Sequence, residues 1–286
     1  MKTKVQSKIA SISNLLGNIF LFVIKITSGL IFSSMAMIGD AINSLSDILS
    51  SAIIHYSIKV SSKDPDENHP FGHSRSEPIA ALISALIMWV LAFQIFQNGM
   101  IRIINKETLN FSPILVNILI FTMILKFFLF LYSDYVSKKE KSPGLKAGAY
   151  DNLNDILISL VALIVILLNH FLNIYWFDTL AGFIIAAWII RVGYKLLREN
   201  IDYLMGKKPD KKLIEELEKE ATNIQGVKGL NDVFAQYLGS LIQLEIHIEV
   251  DKKLNIEKAH KIGKEVKLKL EKRQDINNVF VHIDPK

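Results

Sequence analysis

The sequence predicts a membrane protein with an all-α bundle of six transmembrane helices, followed by a cytoplasmic α+β domain. Two observations predict this fold class. Of the 286 residues, 50% are hydrophobic and the mean hydropathy is +0.30, which is high for a soluble chain of this length. The apolar runs are confined to about residues 12–204, whereas residues 205–286 have the composition of an ordinary soluble domain.

Six stretches are long enough to cross a bilayer, which takes roughly 20 largely apolar residues. The third and fourth, AALISALIMWVLAFQIF and ILVNILIFTMILKFFLFLY, are apolar almost throughout. The second and fifth are interrupted by polar side chains. The predicted spans cover about residues 10–31, 35–59, 78–102, 113–135, 146–170 and 175–197.

Basic residues predict the orientation of the spans. They lie at the N-terminus, in the loops after the second and fourth spans, and after the sixth span. The loops after the first and fifth spans contain no Lys or Arg. Because cytoplasmic loops carry an excess of these residues, both termini are expected in the cytoplasm of a cell whose plasma or inner membrane holds the chain. Arg102 and Lys106, beside the third loop, are the exception.

Composition also excludes some classes of protein and site. The chain has no cysteine, so disulfides and thiolate metal sites are excluded. Its net charge of +5 lies mainly in loops that flank membrane spans, where topology explains it. A nucleic-acid partner is therefore not expected.

The C-terminal part predicts a small αββαβ domain of ferredoxin-like type. KKLIEELEKEATNI has helical spacing, and VFAQYLG and LIQLEIHIEV alternate like strands around a Gly239-Ser240 turn. IEKAHKIGKEVKLKLEK follows as an amphipathic helix, and NNVFVHID as a final strand. The boundary near Gly206 to Pro209 divides a transmembrane domain, residues 1–205, from a cytoplasmic domain, residues 206–286.

Acidic and amide side chains interrupt the second and fifth spans at helical spacing. Asn43 and Asp47 share one helix face, Asp40 lies close to that face, and Asp151 and Asp155 repeat the spacing in the fifth span. A carboxylate in hydrocarbon is costly unless it is paired, hydrated or bound to a cation. Brought together, the two pairs would present one amide oxygen and three carboxylates to a common point. This predicts a metal site at Asn43, Asp47, Asp151 and Asp155, with Asp40 as an auxiliary or proton-relay residue.

Alternative roles of these polar residues stay open. They could be hydrogen-bonding contacts between helices, or a proton relay that competes with cation binding or is coupled to it. No basic residue lies near them in either span, but Lys25 and Lys126 in other spans could act as counter-ions. Oxygen ligands without imidazole or thiolate favour Mn²⁺, Mg²⁺ or Fe²⁺ over Zn²⁺.

The chain resembles the cation diffusion facilitator family of divalent-metal/proton antiporters. The resemblance lies in GDAINSLSD on the second span, DENHPFGHSRSEPIAAL after it, AYDNLNDILIS on the fifth span, and EIHIEV, EKAHKIG and VFVHIDP near the C-terminus. It implies a homodimer of six-helix subunits with a cytoplasmic αββαβ domain and a transport site between the second and fifth helices. The Asn-Asp-Asp-Asp set resembles the manganese-exporting branch. The expected function is proton-coupled efflux of divalent metal, with Mn²⁺ favoured.

Five of the seven histidines fall on motif positions of that family. Asp66, His69 and His73 follow the second span, where Pro70 and Gly72 favour a loop. The resemblance implies that this triad can form a cytoplasmic metal site. A structural turn with a solvated histidine is the alternative.

The other motif histidines lie in the C-terminal domain. Strand alternation puts His282 and Asp284 on one face of the last strand. In relatives, residues at these positions bind metal at the domain's dimer interface, although Asn231 stands where some zinc members have a histidine, which argues against a full binuclear site. His55 and His170, in the second and fifth spans, are expected not to bind metal. The candidate ligands are His247, His260, His282 and Asp284.

Three other functions stay open. The first is a zinc, cadmium or iron(II) exporter of the same family, and the second is a membrane metal sensor that does not transport. The third is an intramembrane aspartyl protease, whose Gly-x-Gly-Asp signature is incomplete because Met37 precedes Gly39 and Asp40. We expect a transporter and not an enzyme, with no cofactor besides the metal. The expected partners are a second copy of the chain, the lipid bilayer, metal ions and protons.

Overall fold

The computed structural model describes residues 5–31, 35–105, 113–172, 176–239, 241–273 and 275–286. Within it the chain forms two compact units, which divide between Ile201 and Asp202.

The first unit consists of long helices of 27 to 30 residues. At a rise of about 1.5 Å per residue, each is long enough to cross a hydrocarbon core of about 30 Å. Three of them, over Val5–Ser28, Ser76–Ile101 and Val116–Glu140, also pass a test of apolar composition for membrane crossing. The helices coincide with the six predicted spans: α1 (Val5–Ile31), α2 (Met35–Ser61), α3 (Ser76–Asn105), α4 (Pro113–Glu140), α5 (Pro143–Leu172) and α6 (Trp176–Leu204).

The sequence explains where α5 begins. Pro143 occupies the first helical position, which suits a residue without a backbone N–H. The hydroxyl of Ser142 accepts a hydrogen bond from the backbone N–H of Leu145 at 3.3 Å and so caps the helix. The short α4–α5 connection makes these two helices close neighbours.

Packing brings α2 and α5 together near the middle of the bundle. α1 packs against α2 and α4, α4 packs against α5, and α3 contacts both α2 and α5. Small residues allow these approaches, since Ala81, Ala85 and Ala92 on α3 are fully buried in the core. The indole of Trp89 on α3 donates a hydrogen bond to the carbonyl of Ile190 on α6 at 3.1 Å.

The second unit confirms the predicted αββαβ order. Its elements are α7 (Lys211–Thr222), β1 (Gly229–Leu238), β2 (Leu241–Val250), α8 (Ile256–Glu271) and β3 (Ile276–Pro285). The described strands form one sheet in the order β1-β2-β3, with β1 antiparallel and β3 parallel to β2. Gly239, in the predicted turn, has a φ of +64°, a conformation that favours glycine, and Ser240 lies outside the described residues.

The sheet has one buried and one open face. Along β2 the side chains of Ile242, Leu244, Ile246 and Ile248 are fully buried. They form a core with residues from α7 and α8 that include Leu217, Val266 and Leu270. The alternate positions of β2, among them His247, therefore face the opposite side, where the described helices of this unit do not cover the sheet.

Candidate metal sites

Asp47, Asp151 and Asp155 are the described acidic side chains of the predicted intramembrane site. Asp47 lies on α2, and the other two lie one turn apart on α5. Asp151 is buried, with 5% exposure, and Asp47 and Asp155 are partly buried. Asn43 and Asp40 also lie on α2, but their side chains are outside the described part of the structure.

A lysine from a third helix joins the two site helices. The ammonium of Lys126 on α4 lies 3.3 Å from Oδ2 of Asp47 and 2.5 Å from Oδ2 of Asp155. Its side chain is 2% exposed. Among the described residues, two clusters outside the long helices, presented below, have ligand atoms that all lie within 4.8 Å of one another, and the three carboxylates do not form such a group. Asp47 and Asp155 are thus linked through the ammonium of Lys126, which contacts both.

A small cavity with both polar and apolar lining adjoins this ion pair. Its volume is about 110 Å³, and Asp47, Lys126 and Asp155 are part of its wall. The hydroxyl of Thr122, one turn before Lys126 on α4, is buried and has no hydrogen-bond partner in the described part of the chain. The cavity is large enough for a few atoms and offers oxygen atoms that suit a cation or water. Further polar lining comes from Lys25, Ser44, Gln94 and Ser159.

The inner face of α1 contacts the site helices through polar groups. The amide of Asn18 donates to the backbone carbonyl of Asp47 at 3.3 Å and to the hydroxyl of Ser51 at 2.5 Å. Asn14 donates to Ser133 on α4 at 2.7 Å. It also accepts from Asn152 on α5 at 2.9 Å. These contacts were not predicted, although Ser7, Ser11, Asn14 and Asn18 repeat at helical spacing and could have indicated a polar face of α1.

A buried glutamate joins the ends of both site helices, and sequence reasoning missed it as well. Glu77, in the first turn of α3, has no exposed surface. Its carboxylate accepts a hydrogen bond at 2.8 Å from the hydroxyl of Ser61, the last residue of α2. It accepts a second from Ser142, which caps α5. A single side chain therefore positions α2, α3 and α5 relative to one another.

Asp66, His69 and His73 lie close together in the loop after α2. Nδ1 of His69 lies 3.1 Å from Oδ1 of Asp66, and Nε2 of His73 lies 3.3 Å from Oδ2. One ligand atom from each lies within 4.8 Å of the others. Nδ1 of His73 is buried without a hydrogen-bond partner in the described regions. The donor set and its spacing suit a divalent ion.

Backbone groups of the same loop hydrogen-bond to the Asp66 carboxylate. Its Oδ1 accepts hydrogen bonds from the backbone N–H groups of His69, at 2.7 Å, and Asn68, at 3.1 Å. The hydrogen bond from the backbone N–H of His69 is the main cause that holds the pKa of Asp66 below its usual value. Gly72, with a φ of +83°, allows the chain to reverse before α3. The carboxylate is thereby kept charged and available to a cation.

A second cluster lies on the open face of the sheet. His247 on β2 and His282 on β3 are paired in register, with ring centroids 4.7 Å apart. Asp284 approaches both, at 3.7 Å from Nδ1 of His247 and 3.3 Å from Nε2 of His282. Asn231 on β1 donates to Oδ2 of Asp284 at 3.4 Å, so this position also faces the cluster. His247, His282 and Asp284 could hold one metal ion.

The remaining histidines lie apart from these clusters. His260 is exposed on α8 and is not part of the group of ligand atoms on β2 and β3. The reason is that α8 packs on the buried face of the sheet, opposite His247. Nδ1 of His55 on α2 lies 2.9 Å from the hydroxyl of Ser11. The side chain of His170 lies outside the described part of the structure.

Comparison with known proteins finds family matches for both parts of the chain. Residues 11–205 match the cation efflux transmembrane domain, and residues 209–286 match the cytoplasmic domain of cation efflux proteins. An uncharacterized transporter of Methanocaldococcus jannaschii is 39% identical over 273 residues, which are 96% of each chain.

Two further relatives have names that state a substrate. The manganese efflux system protein MneS of Bacillus subtilis is 30% identical, over 92% of this chain and 90% of its own. MneP of the same organism, also named a manganese efflux system protein, is 29% identical, over 99% of this chain and 97% of its own. Among solved structures, a cadmium form of the MamM CTD covers 27% of this chain and 96% of its own at 26% identity. Its TM-score of 0.26 is too low to carry an argument.

Proposed function

This chain belongs to the cation efflux family of divalent-metal transporters, which are not enzymes, and we propose that it exports Mn²⁺ from the cytoplasm in exchange for protons. The predicted membership of the cation diffusion facilitator family is confirmed. The intramembrane protease is thereby excluded. The identity of the metal, the coupling to protons and the residues of the site form the proposal.

The observation that carries the proposal is a cation position between α2 and α5. Asp47 and Asp155 hold one ammonium group between them within the bundle, next to a small cavity. Asp151, one turn from Asp155, adds a third carboxylate. Carboxylates inside a membrane protein mark ion pathways, because few other uses repay their desolvation. Asn43, four residues before Asp47, would add the neutral oxygen.

Ligand chemistry favours Mn²⁺ as the substrate. The proposed ligands are oxygen atoms, which suit Mn²⁺, Mg²⁺ and Fe²⁺, whereas zinc usually recruits His or Cys. The manganese efflux proteins among the relatives agree with this choice. Asn43→His should therefore raise Zn²⁺ transport relative to Mn²⁺ transport. An exporter of zinc, cadmium or iron(II) is the second candidate within the same family.

Proton exchange gives the site a way to bind and release metal. Metal entering from the cytoplasm displaces protons from Asp47, Asp151 and Asp155. The helices then rearrange so that the site opens to the outside, as in transporters with a site near the membrane midplane. There, incoming protons compete with the metal for the carboxylates. The protein lies in the plasma or inner membrane, and both of its termini face the cytoplasm.

The cytoplasmic clusters supply metal sensing and dimer contact. The Asp66 loop and the His247 cluster bind metal, and the open face of the sheet is the contact with a second copy. Phe234 and Phe280, which are 59% and 41% exposed, lie on strands beside this cluster and are apolar enough for an interface. Metal bound there would tighten the homodimer.

Metal flux into proteoliposomes tests the proposal. Mn²⁺ uptake driven by a pH gradient is measured for the wild type, Asp47→Ala, Asp155→Ala and the control Asp134→Ala. Asp134 lies on α4 and pairs with the exposed Lys138, so its loss should leave transport unchanged. Loss of a ligand should lower transport by more than the 10- to 100-fold that removal of an outer-shell partner typically costs.

Two results would contradict this function. Full Mn²⁺ transport by folded Asp47→Ala or Asp155→Ala would show that the α2/α5 carboxylates are not the site. Metal binding without flux in the wild type would favour a membrane metal sensor over an exporter. Comparison of Mn²⁺, Zn²⁺, Fe²⁺ and Cd²⁺ in the same vesicles ranks the substrates.

A further inference from the structure

We propose that Lys126 is a tethered counter-ion that holds the cation position between Asp47 and Asp155 until a divalent ion displaces it. The inference rests on the proposed function, because it takes the α2/α5 site as the place of metal binding. It adds a positioning residue from a third helix to that site and makes the transported ion compete with a charge of the protein itself.

Burial of Lys126 carries a cost that its neighbours must offset. The residue is 1% exposed, on a helix that is otherwise apolar enough to cross a membrane. An ammonium at such a position requires negatively charged partners nearby. Its Nζ has two, at 3.3 Å in Asp47 and at 2.5 Å in Asp155. The contact joins three helices through one point, so the lysine is part of the site.

The lysine and a metal ion need the same carboxylate oxygens. Lys126 contacts Oδ2 of both aspartates. Divalent ions bind carboxylate oxygens at about 2.0–2.6 Å, with neighbouring ligand oxygens about 3 Å apart. An ammonium held at hydrogen-bond distance from those oxygens would be close enough to repel the ion strongly. The metal can bind both carboxylates closely only after Lys126 has moved away.

The cavity beside Lys126 could accept its ammonium after displacement. The adjoining cavity of about 110 Å³ includes Lys126 in its wall. The buried hydroxyl of Thr122 lies one helical turn before Lys126 and has no hydrogen-bond acceptor or donor among the described residues. Gln94 also lines this space and offers an amide oxygen. A change of side-chain rotamer, without movement of α4, could therefore exchange carboxylate partners for neutral oxygens.

Displacement of Lys126 would keep the affinity of the site for metal low enough for the ion to be released in each transport cycle. Each binding event loses the Lys126 contacts, which lowers the net affinity for metal. After protons have displaced the metal and have then left towards the cytoplasm, the returning ammonium compensates the charges of Asp47 and Asp155 and competes with the next metal ion. Without the lysine charge, metal should bind more tightly and leave more slowly. A lysine with only a structural role would instead weaken binding when replaced.

The test measures Mn²⁺ affinity and transport on the same full-length variants. Lys126→Met removes the charge at similar length, and Lys126→Arg keeps it. Lys138→Met is the control, because Lys138 is an exposed lysine on the same helix, outside the site. For Lys126→Met we expect the Kd for Mn²⁺ in calorimetric titrations to fall at least about tenfold, as loss of one competing charge-assisted contact predicts. We expect the maximal rate in proteoliposomes to fall as well, while Lys126→Arg and Lys138→Met stay close to the wild type.

The outcomes separate this inference from the proposed function. If the wild type neither binds nor transports Mn²⁺, the proposed function fails. If the wild type does both, but Lys126→Met binds Mn²⁺ equally or more weakly, the counter-ion proposal alone is overturned. Should Lys126→Met not fold, Lys126→Gln replaces it and carries the same expectation. For either variant, the rise in Tm on addition of Mn²⁺ should exceed that of the wild type, and a smaller rise would overturn the proposal.

Discussion

Glu77→Ala is expected to loosen the junction that holds the two site helices together. Glu77 is fully buried and accepts hydrogen bonds from the hydroxyls of Ser61 and Ser142. Ser61 ends α2 and Ser142 caps α5, so the alanine variant would remove a contact shared by three helices. Because the junction lies at helix ends, the change alters the bundle without touching the carboxylates of the metal site.

The contacts set the size of the effect. A hydrogen bond to a charged group contributes about 1.5–3 kcal/mol net, so loss of both should lower the free energy of unfolding by about 3–6 kcal/mol. Ser61→Ala removes one of them and should cost about 1.5–3 kcal/mol. Ser142→Ala also removes the cap on the backbone N–H of Leu145, which adds about 0.5–2 kcal/mol.

Equilibrium unfolding in mixed micelles, followed by circular dichroism, measures these differences. Glu77→Gln keeps a hydrogen-bond acceptor and should cost less than Glu77→Ala. Glu257→Ala, at an exposed position in the first turn of α8, is the control and should have little effect. The double variant Glu77→Ala/Ser61→Ala should cost less than its two single variants added together, because both remove one shared contact. A loss below about 1 kcal/mol for Glu77→Ala, or strict additivity, would show that Glu77 does not hold this junction.

Two further predictions concern other parts of the chain. In Gly193→Ala, the new Cβ would lie 2.7 Å from Nε1 of Trp89, so the indole that donates to Ile190 must move, and the same unfolding assay should show a loss of about 1–3 kcal/mol. Gly182→Ala, whose nearest atom is 3.8 Å away, should be close to neutral, and equal losses would contradict the packing described. His282→Ala should weaken Mn²⁺ binding at the C-terminal cluster by at least about tenfold in calorimetric titrations, by comparison with loss of an outer-shell partner. His260→Ala should leave that binding unchanged, and an equal weakening would place His260 in the site.

Much of the fold follows from local pattern. Hydropathy predicts the helices to within a few residues at most ends, since burial in hydrocarbon acts on every residue of a span. In the C-terminal domain, the change from helical to alternating spacing predicts the αββαβ order. Both signals are periodic and can be read within one element, so they do not depend on knowing its neighbours.

The contacts between helices could not be predicted in the same way. Lys126 is separated from Asp155 by 29 positions and from Asp47 by 79, and only the rotation of α4 in the bundle brings it to both. Lys25 is an equally good candidate by sequence, and it lines the same cavity, where its ammonium donates to the hydroxyl of Ser44 at 3.1 Å. Which groups each of these two lysines contacts therefore depended on packing, because hydropathy treats both alike.

The order of residues along the chain was enough to predict that Asp151 and Asp155 lie one turn apart on one helix, that the segment around His69 is a loop, and that His282 and Asp284 share one face of a strand. The pairing of Asp47 with Asn43 stays a prediction. These features follow from the repeat of a single helix or strand or from the conformational preferences of Pro and Gly. The packed structure was needed to show that Lys126 holds Asp47 and Asp155, that Glu77 joins three helices, and that His260 is separated from His247. Such contacts depend on how whole elements pack, and packing is set by the shapes of all their side chains together.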